Sequence, residues 1–209
     1  MIVITTARPD EFAAAADVLA EAFVDDPVAR GIVPFEADRR RRLAHLFTAV
    51  LRSGPGPRGV IDLARREGDE RIVGVAAWEA PGSRRGALGR ELAQLPLFLK
   101  AFGPAGLPRA MMMEHRLQRH RPTVPHWYLA DIGVSVSARG LGVGSALLRA
   151  RLDAVDQAGL PAYLESSTPE NRRLYARFGF GELASIAGIP GASPVAMLRS
   201  SPPDPGGLG

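Results

Sequence analysis

The sequence predicts an α/β (α+β) domain built on a mixed β-sheet flanked by helices. Strand patterns cluster early in the chain, whereas strand followed by helix recurs late, and that combination calls for a sheet of mixed direction. The chain has 209 residues, 46% of them hydrophobic, enough to bury one sizeable core. No repeat or linker divides the body, so residues 1–199 read as one domain, and the Pro- and Gly-rich stretch 200–209 as a disordered tail.

Taken in order, Ile2 to Thr6 reads as a strand, and helical patterns follow over 9–23 and 37–52. In the second helix Leu43, Leu46, Phe47 and Val50 form an apolar side, and Arg39-Arg40-Arg41-Arg42 reads as a solvated face. Gly54-Pro55-Gly56-Pro57 ends that helix. Strands over 59–65 and 71–79 are joined by a turn at Arg66 to Glu70, with Gly68 and Asp69 at its centre. Helices occupy 87–120, where Leu88, Leu92, Leu95 and Leu99 fit an amphipathic pattern and Met111-Met112-Met113 suit either a core or an adaptable pocket wall. A strand over 127–136 precedes a helix over 142–158, in which Val143, Leu147, Ala150 and Ala154 should anchor on the sheet. A strand over 161–166, a helix over 169–178 and strands over 180–187 and 193–199 complete the body.

Two clusters carry chemistry. In Ile132 to Leu148 an apolar strand enters a loop containing Gly140, Gly142 and Gly144, and an amphipathic helix starts inside that loop. A helix N-terminus has unpaired N–H groups and a positive dipole end, so it can hold a phosphate, and glycines let an anion approach closely. Arg139 adds a fixed charge at the mouth. The spacing fits neither a dinucleotide fingerprint, G-x-G-x-x-G with a later acidic residue, nor a P-loop. The second cluster, Pro161 to Phe180, reads as strand, helix start and short helix. Thr168 suits the N-cap, Pro169 the first helical position, Leu174 and Phe178 the core face, and Gly179 the end. Tyr175 sits beside that apolar stripe, where a packing role competes with a chemical one.

Together the clusters resemble the GNAT superfamily of acetyl-CoA-dependent N-acetyltransferases. Arg139 to Gly144 matches its [Gln/Arg]-x-x-Gly-x-[Gly/Ala] signature, and Asn171, Tyr175, Gly179 and Phe180 match its Asn-x-x-x-Tyr helix ending in x-Gly-Phe. Within that superfamily Ala22 to Arg30, and Glu114 with the His120-Arg121-Pro122 and Trp127-Tyr128-Leu129 segments, are most similar to the puromycin N-acetyltransferase group. The resemblance implies a GNAT-like, mostly antiparallel sheet with a splayed central strand pair. It implies acetyl-CoA as co-substrate, its pantetheine arm on the backbone at Val134 and Val136 and its pyrophosphate on the amides of Arg139, Gly140, Leu141, Gly142, Val143, Gly144 and Ser145. Tyr175 would act as general acid, and Asn171 would bind the cofactor or orient the phenol. Glu114 is the leading candidate base, and Asp25 and Asp26 would recognise the acceptor amine, although a turn or helix-end role competes for both. Asp131 is set aside because strand alternation places it opposite Ile132 and Val134. Residues 87–120 should cover the side of the sheet where substrate enters.

The function expected is transfer of acetyl from acetyl-CoA to an amine of a small molecule, nucleoside- or antibiotic-like by resemblance. Its rivals are protein N-terminal or lysine acetylation and a non-catalytic acyl-CoA-binding module. The chain has no cysteine, which excludes disulfides, thiolate metal sites and a cysteine nucleophile, and favours direct transfer. Its four histidines form no H-x-x-x-H pair, so no metal is expected. The formal net charge is +4 and Lys100 is the sole lysine, a bias that reads as genome composition rather than a nucleic-acid surface. No signal-peptide or membrane-spanning pattern is present, and a cytoplasmic enzyme without nucleic-acid or membrane partners is the simplest expectation. The sequence is compatible with a homodimer without requiring one.

Overall fold

A computed structural model describes residues 1–201; apart from Ser200 and Ser201, the expected tail lies outside the described residues. The strands β1 (Ile2–Thr6), β2 (Gly59–Arg66), β3 (Ile72–Glu79) and β4 (Trp127–Val134) run as an antiparallel series. Next, β5 (Ala162–Ser166) lies parallel to β4. The strands β6 (Gly181–Ser185) and β7 (Val195–Arg199) close one seven-stranded sheet of order β1-β2-β3-β4-β5-β7-β6. The mixed, mostly antiparallel sheet is therefore as expected.

Helices cover both faces. On one face, α1 (Phe12–Phe23), α3 (Arg39–Ser53) and α6 (Leu95–Gln118) bury Leu19, Leu43, Phe47 and Phe102 against Leu63 and Val75. On the other, α7 (Val143–Gln157) and α8 (Pro169–Ala176) bury Leu147, Leu148, Leu152 and Tyr175 against Trp78, Leu129 and Leu164. Burying each such aliphatic side chain is worth roughly 1.5–3 kcal/mol, and the two cores hold the sheet between them.

Three short or broken elements depart from the periodic reading. A one-and-a-half-turn helix, α2 (Pro27–Ile32), forms because Asp26 caps it, accepting from the Val28 and Ala29 amides at 2.9 and 3.0 Å. Pro55 to Arg58 winds into a single turn, α4, where a plain break was expected. The 87–120 segment splits at Gln94 into α5 (Ala87–Ala93) and α6, and α6 kinks at Gly103, whose φ of 68° no ordinary helix contains.

The anchoring stripe of α7 also differs. Ala150 and Ala154 are exposed, and the buried side is Val143, Leu147, Leu148, Leu152 and Val155. The larger leucines bury more area than the alanines at the expected positions, so they set the helix phase. The arginine run is not wholly solvated. Arg39 is buried with its Nε donating to the Val33 carbonyl at 3.1 Å, and Arg42 lies over the Phe35 ring and donates to the Ala101 carbonyl at 3.1 Å.

Two irregularities of β4 create the site. Its pairing with β5 runs only from Trp127 to Leu129, after which the strands part and leave Ala130 to Val134 open on that edge. A bulge at Ala130 shifts the register against β3, so Leu129 faces Trp78 and Asp131 faces Ala77. The extra residue turns Asp131 onto the α1/α6 face of the sheet, a common use of bulges beside functional sites. In addition, β4 ends at Val134, not Val136, because Val136 to Ala138 close a short 3-10 turn.

Candidate active site

Glycine geometry shapes the first half of the site. Gly140 and Gly142 have φ of 77° and 74°, values L-residues avoid, and a Cβ at either would meet nothing within 4 Å. These glycines are required by backbone conformation, and the space in front of them is open. Within α7 the Ala146 amide is the first to find an acceptor, the Gly142 carbonyl at 3.0 Å, so the amides of Val143, Gly144 and Ser145 before it are open. Two members of the expected anion loop are already engaged, since the amides of Arg139 and Leu141 reach the Val136 and Ala138 carbonyls at 3.4 Å each.

The loop is held from several sides. Glu21 of α1 accepts from the Val136 amide at 2.8 Å and from the Ser135 hydroxyl at 3.0 Å, and Arg66 donates to the Ser137 carbonyl at 2.8 Å. Val136 therefore has its amide occupied and its side chain 57% exposed, and it does not continue the open strand edge. A lone glutamate in the last turn of α1 carries no sequence signal for this bracing role. Gly74 lets α7 sit close to β3, because a Cβ there would lie 2.6 Å from Val143 Cγ1.

A cavity of about 420 Å³ runs from this loop to Asn171, Leu174 and Tyr175 along the open edge of β4 at Ile132, Gly133 and Val134. The cradle is chemically suited to a phosphorylated, extended ligand such as acetyl-CoA, with unpaired amides at one end and an unpaired strand edge beside a slot. Arg139 lines it, with a guanidinium 3.5 Å from the Ala22 carbonyl.

A second cavity, also of about 420 Å³, lies on the opposite side of β4, walled by α3, α5 and α6. Phe23, Asp26, Ile132, Asn171 and Tyr175 line both cavities and so mark their junction. Tyr175 is only 6% exposed and packs edge-on to Phe180, with ring centroids 6.1 Å apart. Burial, then the nearby charges of Asp26 and Asp131, push its hydroxyl above the usual phenol range, so it stays protonated at neutral pH. Asn171 lies one turn before it, and its side-chain amide donates to the Ser167 hydroxyl at 3.4 Å.

This second cavity has an acidic wall. Glu114 lines it and lies 3.5 Å from Arg121, which in turn lies 3.6 Å from Glu165 and stacks over Tyr128 with 3.6 Å from its guanidinium carbon to the ring centre. Glu79 is fixed by the Ser83 hydroxyl at 2.7 Å. Asp131 faces the same space, and burial, then the charges of Glu114, Glu79 and Glu165, push its carboxyl up to about 7. This residue was set aside on alternation. The alternation is correct, but the face opposite Ile132 and Val134 proves to be the one lining the second cavity.

The remaining candidates divide. Asp26 lines both cavities but its Oδ1 is committed to capping α2. Asp25 points outward, its side chain 83% exposed and 4.0 Å from Arg30, and it lines neither cavity. Leu88, Leu92 and Leu95 line the second cavity instead of packing into a core, as does Met111, whereas Met113 is buried. Among the described residues no cluster of three or more His, Cys, Asp or Glu could hold a metal ion, and no helix is long and apolar enough to cross a membrane.

An open-edged strand thus leads to a helix N-terminal cradle, and a second cavity meets it at a buried tyrosine. Residues 21–180 match the model of the acetyltransferase (GNAT) family, and the chain belongs to that family. It is 29% identical over 185 residues to an uncharacterized N-acetyltransferase of Schizosaccharomyces pombe, covering 84% of this chain and 73% of that protein. The crystal structure of histone acetyltransferase HPA2 and related acetyltransferase from Corynebacterium glutamicum is 31% identical, covers 98% of each chain and superposes with a TM-score of 0.74. A polyamine N-acetyltransferase from Drosophila melanogaster, 18% identical with a TM-score of 0.57 over 96% of this chain and 100% of its own, shares the fold.

Proposed function

We propose that the protein transfers an acetyl group from acetyl-CoA directly to an amine of a small molecule. The observation that carries this reading is Tyr175, a buried and protonated phenol where the glycine-lined cavity meets the acid-lined one. Acetyl-CoA supplies the activated acyl thioester. On the protein's side, the open amides of Gly140, Gly142, Val143, Gly144 and Ser145, with Arg139, receive the pyrophosphate, and the edge of β4 as far as Val134 holds the pantetheine arm. The Tyr175 hydroxyl offers its proton to the departing thiolate, and Asn171 holds the cofactor arm beside it.

An amine attacks only when neutral, so a base must remove a proton from the ammonium. Glu114 and Asp131 both face the acceptor cavity. Asp131 is the better matched, because it lines the acceptor cavity and a carboxyl raised to about 7 can take a proton and release it again. Glu114, paired with Arg121 and Gln118, serves to orient the amine. Enclosure of the cavity by α5 and α6 favours a small acceptor over a protein terminus or lysine, and resemblance to the puromycin N-acetyltransferase group adds amine-bearing nucleosides to the compounds worth trying. An amine panel with detection of released CoA thiol tests this reading. Turnover supports it, and acetyl-CoA binding without transfer to any amine would leave a binding module.

A further inference from the structure

The acceptor cavity is both acidic and apolar. Its wall carries six carboxyl groups, Asp26, Glu79, Glu91, Glu114, Asp131 and Glu165, against the three guanidinium groups of Arg84, Arg90 and Arg121. Glu165 is 8% exposed, and its Oε1 is taken up by the Arg121 Nε 3.6 Å away. The remaining carboxyl groups outnumber the other arginines, and a cation entering the cavity would balance that negative excess. Along α5 and α6 the cavity also presents apolar side chains. Leu88, Leu92 and Met111 line the cavity while 70%, 59% and 65% exposed, an arrangement that leaves hydrophobic surface in water unless a ligand covers it.

We infer that the acceptor is a cationic amine with a bulky apolar body, seated with its ammonium on the acidic wall and its body against α5 and α6. A polyamine or a lysine-bearing basic peptide would have to lay further cations along these leucines and methionine, losing hydration with Glu91 the one carboxylate of α5 to meet them. This inference rests on the acetyl-transfer reading and sharpens it to a substrate class.

A homologous series from n-butylamine to n-octylamine tests it, with spermidine and a lysine-containing basic peptide as comparators. Both kcat/KM, by thiol release, and binding, by calorimetry with CoA present, are measured. Each added methylene should raise both about fourfold, the equivalent of ~0.8 kcal/mol per buried CH2. Leu92→Glu, at an exposed position that tolerates charge, should flatten the series. A flat series in the wild type, or spermidine or the peptide preferred tenfold over octylamine, would overturn the inference while leaving acetyl transfer standing. Binding that climbs along the series without thiol release would support the inference and remove the transfer reading instead. No binding by any alkylamine would overturn the inference outright.

Discussion

Glu114 faces Arg121 across 3.5 Å and accepts a 2.6 Å hydrogen bond from Gln118, so this cavity-lining carboxylate is held by two partners. Asp131 lies on the same cavity, its carboxyl raised to about 7. The two carboxylates should therefore respond differently to removal of charge. Asp131→Asn should lower kcat/KM by roughly 10²–10⁴ and abolish the rising limb of the pH profile near 7, the usual signature of losing a positioned base. Glu114→Gln should raise KM with the limb retained. A limb that disappears in Glu114→Gln and survives in Asp131→Asn would reverse the assignment.

The same shift predicts a stability effect. Glu79 from β3, Glu165 from β5 and Glu114 from α6 surround Asp131 and raise its pKa together with burial, while Arg121 opposes them. The folded protein thus holds this proton more tightly than the unfolded chain, whose carboxyl titrates at the ordinary 3.8. Its contribution to stability is full below about pH 4 and is lost as pH rises through about 7. Asp131→Asn should accordingly gain stability relative to wild type at pH 8 and show no such gain at pH 4, read by urea denaturation at the two pH values. A variant less stable than wild type at pH 8 would contradict this.

Gly142 is required by its φ of 74°, and the proposed pyrophosphate site puts a second demand on it. Gly142→Ala should cost about 1 kcal/mol of stability through the left-handed conformation and weaken acetyl-CoA modestly. Gly142→Asp puts a negative charge where the pyrophosphate would lie. It should abolish the rise in Tm that acetyl-CoA gives the wild type. An unchanged rise in folded Gly142→Asp protein would move the cofactor elsewhere.

Asp62 of β2 and Arg151 of α7 form a two-pronged ion pair at 2.5 and 2.9 Å, with the Asp62 side chain only 3% exposed. It ties the helix that carries the anion cradle to the sheet. Removing one partner leaves a buried charge uncompensated, typically worth about 3–5 kcal/mol. Arg151→Leu should lower Tm by on the order of 10 °C, measured by calorimetry, for a chain of this size. A shift below a few degrees would mean that the pair contributes little.

The cradle was legible because its requirements are local. Positive φ demands glycine, a helix start demands free amides, and both leave their mark within a few residues of Arg139. The sheet and most elements were legible for the same reason. The acceptor side was not. Which face of β4 meets the cavity depends on a one-residue bulge at Ala130 and on where α6 crosses the sheet, and neither is written in the alternation around Asp131. The bracing of Ser135 and Val136 by Glu21 joins residues more than a hundred positions apart, beyond the reach of any local pattern. Asp25 and Asp26 show the converse. Adjacent acids look alike in sequence, yet one caps α2 and the other points into solvent.

Release of CoA thiol by wild type and by Tyr175→Phe, measured with the same amine at saturating acetyl-CoA, tests the central claim most directly. The substitution keeps the buried ring and removes only the hydroxyl at the junction of the two cavities. Tyr175→Phe should lower kcat by roughly 10²–10⁴ with acetyl-CoA affinity little changed. Full turnover in Tyr175→Phe would contradict it and leave the tyrosine as packing.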